Sequence, residues 1–202
     1  MNLHALPART PAASGVLCEP LACVAHCLLS PPVVTAGDRV LVIGPGAMGQ
    51  LSAQVARAQG GQVTLSGLER DAHRLAVAAS LGIAVSTEDV DTDHYDVVIE
   101  CSGSAAGAAA ALRAVKKSGR YVQVGIFGRE VNLPFDSVLY KELTVTSGFA
   151  STPWSWRDAL RLLDQGLVDL DPLVTDRFAL ADFDAALQMA RLGTGIKVVI
   201  AP

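Results

Sequence analysis

A chain of 202 residues, 50% hydrophobic and 18% charged, has the composition of a packed α/β protein, and it is long enough for one sizeable domain with parts of another attached. A net charge of -4, from 16 basic and 20 acidic residues, supplies no basic block for nucleic acid or an anionic membrane. No apolar run reaches the roughly 18 residues of a membrane span, and Met1–Arg9 lacks the order of a signal peptide, so a cytoplasmic protein with a small-molecule partner is expected.

The first element in chain order is an Ala/Cys/Leu-rich helix over Glu19–Leu29, stopped by Ser30-Pro31-Pro32 and followed by a turn at Ala36-Gly37-Asp38. Val40–Ile43 is wholly apolar, as befits a parallel strand covered on both faces. It runs into Gly44-Pro45-Gly46-Ala47-Met48-Gly49 and a helix through Ala58, closed by Gly60-Gly61. Gln62–Ser66 reads as a strand, Asp71–Leu81 as a helix, and Ile83–Ser86 as a short strand. Tyr95–Glu100 is a further strand, Ala105–Val115 a helix halted by Ser118-Gly119, and Arg120–Val124 a strand ending at Gly125. Five strands joined by helical crossovers predict an α/β doubly wound parallel sheet, a Rossmann fold, with Leu143–Thr146 as a sixth strand at its edge. Beyond Gly148 follow an amphipathic helix over Trp154–Gln165, a Pro-containing connection over Leu167–Val174, a helix over Leu180–Arg191 and a last strand at Ile196–Ile200. Cys18, Cys23, Cys27 and Cys101 show no metal-site spacing and read as reduced core residues.

GxGxxG by itself is a weak pattern, but here it leaves a buried-type strand and opens a helix. Gly44 allows the tight turn, Gly46 lets the backbone approach a pyrophosphate, and Gly49 lets the helix pack on the strand. The amides of Ala47 and Met48, together with the helix dipole, then bind the negative charge. The end of the second strand sets the dinucleotide type. Ser66 is followed by Gly67 where an acid for the ribose 2′-hydroxyl of NAD would stand, with Glu69 displaced and Arg70 and Arg74 beyond it. This arrangement favours NADP over NAD, with Glu69 reaching back as the alternative.

Taken together, several segments resemble the medium-chain zinc-dependent dehydrogenases, in particular the sorbitol and threonine dehydrogenase branch. They are Glu19-Pro20-Leu21-Ala22 with His26, the glycine turn, Glu100-Cys101-Ser102-Gly103, Val124-Gly125-Ile126, Lys141-Glu142-Leu143, Leu173-Val174-Thr175 and Gly195-Ile196-Lys197-Val198-Val199. The resemblance implies that Met48 packs on the dinucleotide and that Arg74 contacts its adenosine side. It places Cys101, Ser102 and Gly103 beside the adenosine and ribose, Val124, Gly125 and Ile126 against the nicotinamide, and Lys197 at the cofactor phosphates. It also associates Glu19 with a catalytic zinc, which in the family polarises a secondary alcohol while hydride passes to nicotinamide.

The family's other zinc ligands, a Cys and a Gly-His-Glu motif, have no match in this sequence, and no stable zinc site is expected in the chain. Residues 1–20 read as a remnant of a catalytic domain, 21–147 as the dinucleotide-binding domain, and 148–202 as a segment that packs with the absent part. Met1 then reads as an internal start, and some apolar surface is expected to be exposed. The leading expectation is the NAD(P)-binding domain of an alcohol or polyol dehydrogenase, inactive when isolated. The alternative is a stand-alone, non-catalytic dinucleotide-binding or sensor module; an S-adenosylmethionine-dependent transferase accounts for the glycine turn alone. The resemblance further implies a homodimer through the edge strand, residues 143–147.

Overall fold

The computed structural model describes residues 3–8 and 10–201, so the readings at Met1 and Asn2 lie outside the described residues. The strands β1 (Arg39–Ile43), β2 (Gln62–Ser66), β3 (Ala84–Ser86), β4 (Tyr95–Glu100), β5 (Val115–Gln123) and β6 (Thr144–Ser147) form one parallel sheet in the order β3-β2-β1-β4-β5-β6. That order, reversing between β1 and β4, is the Rossmann fold. The unbroken apolar run in β1 has a direct cause. Val40 and Val42 enter a core shared with α1 (Cys18–Leu29), α2 (Ala47–Ala58) and α3 (Ala72–Ser80), whereas Leu41 and Ile43 face α4 (Ala105–Ala114) across the sheet.

The other half of the sheet is covered differently. Only residues 87–94 join β3 to β4, and they contain no helix, so the expectation of a helical crossover fails at this connection. A parallel crossover ordinarily needs a dozen residues or more. Its absence fits the composition of β2, where Val63 and Leu65 are buried but Gln62 is exposed and Thr64 half-buried. Beside the short connection β1 and β2 border a cavity of about 490 Å³, lined by Arg39, Arg57, Gln62, Thr64, His94 and Tyr95 among others.

The helix expected to stop at Ser118-Gly119 ends at Ala114 and passes directly into β5. Ser118, at φ 56, lies in an irregularity where the pairing with β4 shifts register, so a turn-like dipeptide marks a bulge inside a strand. The join is held by Lys141, whose Nζ lies 2.8 Å from the carbonyls of Leu112 and Arg113, 2.9 Å from that of Val115 and 2.6 Å from Asp93 Oδ1. A cation is thereby fixed on the carboxyl end of α4, where the helix dipole favours it.

A short helix α5 (Asp136–Tyr140) precedes β6, and the residues after β6 return to the α1 side of the sheet. α6 (Pro153–Asp164), opened by a reciprocal Thr152–Ser155 cap, packs on α1, and Ala159, Leu163, Val168, Leu170 and Leu173 join the same core as Leu21 and Leu51. Gln54 on α2 exchanges hydrogen bonds with the backbone of Asp169 at 2.7 and 3.0 Å. After the expected connection over Leu167–Val174, where no element was foreseen, comes a strand β7 (Val174–Ala179), and it pairs in parallel with β8 (Lys197–Ala201) across α7 (Phe183–Leu192). Thr175, Asp176 and Arg177 hid it, since Asp is rare in strands. Phe149, Trp154, Leu180, Phe183 and Leu192 are each at least half exposed, in line with the expected apolar surface. Of the cysteines, Cys18 and Cys27 are buried, whereas Cys23 and Cys101 are half-buried rather than core residues.

At the amino end of β4, burial pushes the Asp96 carboxyl up, but the Lys116 ammonium, the Arg39 amide and the Arg39 charge outweigh it and hold the group down at about 2. A depressed carboxyl stabilises the fold above its unfolded value near 3.8 and loses that contribution as pH falls toward 2. Urea unfolding of the parent is therefore expected to weaken between pH 4 and 2 more steeply than that of Asp96→Asn; parallel profiles would show that Asp96 does not carry the acid sensitivity.

Candidate functional site

The carboxyl ends of β1, β4 and β5 meet where the strand order reverses, the place at which open α/β sheets bind ligands. There the three glycines of the first turn differ in what they do. A Cβ on Gly44, at φ 101, would lie 2.7 Å from the Ser102 amide nitrogen, and one on Gly49 would lie 1.8 Å from the Gly44 carbonyl oxygen. Both are demanded by the fold. A Cβ on Gly46 would have nothing within 4 Å, and its φ of -71 suits any residue. The backbone at Gly46 faces open space that the protein itself does not fill.

Gly46 is also the N-cap of α2, a position usually held by a side chain that closes the helix end, and here no side chain does so. Its carbonyl accepts from the Gln50 amide, which leaves the amides of Ala47, Met48 and Gly49 at an uncapped, twelve-residue helix terminus. An anion fits this end, and the residues present therefore suit a dinucleotide pyrophosphate.

The adenosine side is built from the end of β2. Ser66 is buried and its carbonyl holds the Gly44 amide at 2.9 Å. A Cβ on Gly67 would approach Pro45 Cγ to 2.8 Å, so the place of the ribose acid is closed to a side chain by the proline of the turn. Glu69 and Arg70 stand exposed on a short 3-10 turn. Arg74 is engaged already. It pairs with Asp71 at 3.3 Å and donates to the carbonyls of Gly193 and Gly195, the latter at 2.9 Å, which ties the loop before β8 to α3. Lys197 follows on β8, half-buried, and makes no ion pair among the described residues.

On the opposite wall, Cys101, Ser102 and Gly103 leave β4, and Val124, Gly125 and Ile126 leave β5. A Cβ on Gly125 would lie 2.3 Å from the Gly103 amide nitrogen, and one on Gly103 2.5 Å from the Ile126 carbonyl oxygen, so the two loops touch backbone to backbone. Ile126 is 76% exposed and free to meet a ligand. Burial pushes the Cys101 thiol up to about 12, against a weaker pull from the Ser52 hydroxyl at 3.5 Å, so it is no nucleophile at neutral pH. One residue that sequence reasoning left without a role is Glu100, wholly buried at the end of β4. Its signal was available, since an acid closing an otherwise apolar strand has to be satisfied inside the protein.

Glu19, near the start of α1, is exposed and accepts a hydrogen bond from Cys23 Sγ at 3.1 Å. Among the described residues no three His, Cys, Asp or Glu side chains come together as a metal site. Glu19 and Cys23 do not by themselves make a zinc centre, and Cys23 is held as a thiol by burial and by Glu19, which push it up to about 12.

A profile of the zinc-binding dehydrogenase family matches residues 47–165, more than half of the chain. The sorbitol dehydrogenase of Halalkalibacterium halodurans is 37% identical over the whole chain, which covers 62% of that protein, and the D-arabitol-phosphate dehydrogenase of Enterococcus avium is 31% identical over 98% of the chain and 60% of its own length. A zinc-binding dehydrogenase from Sinorhizobium meliloti 1021, solved bound to NADP, superposes with a TM-score of 0.83 at 27% identity, covering 98% of this chain and 61% of that one. The chain spans about three-fifths of the length of the curated relatives it matches. On its sheet order, its glycine turn and the family profile that begins at that turn, this chain belongs to the zinc-binding dehydrogenase family.

Proposed function

We propose that this chain is the NAD(P)-binding part of an alcohol- or polyol-type dehydrogenase, the half that holds nicotinamide while hydride passes between it and a secondary alcohol. One observation carries the reading: Gly46 faces open space at an uncapped helix end, where nothing in the fold requires a glycine but an approaching pyrophosphate does. The sorbitol and arabitol-phosphate dehydrogenases among the relatives support a polyol as the substrate class. By itself the chain binds the dinucleotide and lacks zinc-dependent turnover, because Glu19 needs zinc-ligand partners that this sequence does not supply. Residues 21–147 form the binding domain, with 1–20 and 148–202 belonging to the substrate side. Among the described residues no helix is long and apolar enough to cross a membrane, and on its free cysteines we place the protein in the cytoplasm.

Titration with NADPH or NADH, followed by nicotinamide fluorescence, tests the assignment. Gly46→Val is expected to abolish binding while keeping the thermal midpoint within about 3 °C of the parent, roughly 1 kcal/mol. Gly49→Ala, forced against the Gly44 carbonyl, should instead lose the fold. Unchanged affinity in Gly46→Val would remove the pyrophosphate from this turn.

NADP is favoured over NAD because Pro45 closes position 67 to a carboxylate and Arg70 is free beside it, and the Sinorhizobium meliloti relative was solved with NADP. The informative substitution is at exposed Arg70, since an acid at Gly67 would press on Pro45. Arg70→Glu is expected to weaken NADPH about tenfold relative to NADH. A parent that already prefers NADH would show Glu69 acting as the ribose acid.

β6 pairs with β5 on one side only, leaving an open edge with Val145 41% exposed, and we assign the homodimer to this edge. Light scattering at micromolar concentration should give a dimer for the parent and a monomer for Val145→Lys; a monomeric parent would refute the assembly.

A further inference from the structure

The Glu100 side chain makes four hydrogen bonds inside the protein. It is wholly buried at the carboxyl end of β4, between Ile43 of β1 and Gln123 of β5. Its carboxylate accepts from the Ser102 amide at 2.7 Å, the Gly103 amide at 3.1 Å, Gln123 Nε2 at 2.8 Å and the Ser102 hydroxyl. Its carbonyl accepts from the amides of Val124 at 2.9 Å and Gly125 at 2.8 Å. Two glycines make room for it, since a Cβ on Gly107 would stand 3.0 Å from Oε1 and one on Gly125 2.6 Å from Oε2. Gln123 is itself fixed on both sides, by the Tyr121 hydroxyl on its oxygen and the Gly125 carbonyl at 2.7 Å from its nitrogen.

A single carboxylate thus draws the amides of Ser102 and Gly103 inward and, through Gln123, ties them to the loop after β5. Neither loop has another side chain that spans the gap between them among the described residues. We propose that Glu100 is a positioning residue of the dinucleotide site: from the Cys101–Gly103 loop on the adenosine and ribose side it holds, through Gln123, the Val124–Ile126 loop at the nicotinamide end without touching the ligand. The inference rests on the dinucleotide reading above.

Glutamine at this position keeps the shape but turns an amide NH₂ toward donors whichever way it lies, so one loop loses its anchor. A positioning role and a general structural one then separate by ligand. In the full chain, Glu100→Gln is expected to weaken NADPH, which meets both loops, about tenfold, and 2′,5′-ADP, which lacks the nicotinamide half and meets only the Cys101–Gly103 loop, by no more than about threefold. Equal loss for both ligands would reduce Glu100 to a structural residue, and no loss for either would overturn the proposal outright. Should Glu100→Gln fail to fold, Gln123→Met removes only the donor from β5 and is expected to show the same selective loss at about threefold; retention of parental NADPH affinity there would overturn the proposal as well. A parent that binds 2′,5′-ADP and NADPH equally poorly would instead sink the dinucleotide reading itself.

Discussion

The whole ligand-binding edge depends on how closely the backbone can pass itself where the strands end. Gly44 rests on the Ser102 amide, Gly49 on the Gly44 carbonyl, and Gly103 and Gly125 on one another's loops. At each of these contacts a methyl group would occupy space already filled by main chain. The consequence is a row of peptide groups, rather than side chains, facing the cleft, and peptide dipoles cannot swing away from a ligand as side chains do. Gly46 is the exception in the row, empty on its own account, and that difference separates a glycine required by packing from one left for a guest.

Charges follow a complementary division between the two ends of the sheet. At the amino ends, carboxylates are matched by cations: Asp96 with Arg39 and Lys116, Asp38 with Arg120 at 2.8 Å, and Asp93 with Lys141. At the carboxyl ends the α2 terminus stays uncapped, and Glu100 faces inward with its donors supplied by the loops it arranges. The partial positive charge of the α2 terminus is therefore left open at the carboxyl ends of the strands, on the side away from these ion pairs. The cavity of about 490 Å³ lies instead at the amino ends of β1, β2 and β4, away from the glycine turn.

Much of this was legible in the sequence because burial on both faces writes itself as apolar runs. β2 and β4 were readable to the residue, and β1 nearly so, as was the glycine turn. Less legible were features that depend on partners distant in sequence. Ser118-Gly119 carries turn residues, but pairing with β4 turned them into a bulge, and β7 is visible only through its pairing with β8, since its Thr175 and Arg177 stay exposed. Arg74 illustrates the same limit within the site. Nothing near it in sequence announces that Gly193 and Gly195 take up its guanidinium. Glu100 was visible as an oddity, but its meaning required the loops after two strands.

The eight-residue link between β3 and β4 also sets where the molecule yields. β1 is covered by helices on both faces, whereas β2 leaves Gln62 exposed and Thr64 half-buried, and β3 has no buried residue and pairs along three residues. Local opening costs least where the fewest apolar contacts must be given up. Opening the flank that bears Ser66 and Gly67 therefore costs less than opening the flank that bears Glu100, and the two walls of the cleft differ in stiffness although one sheet carries both.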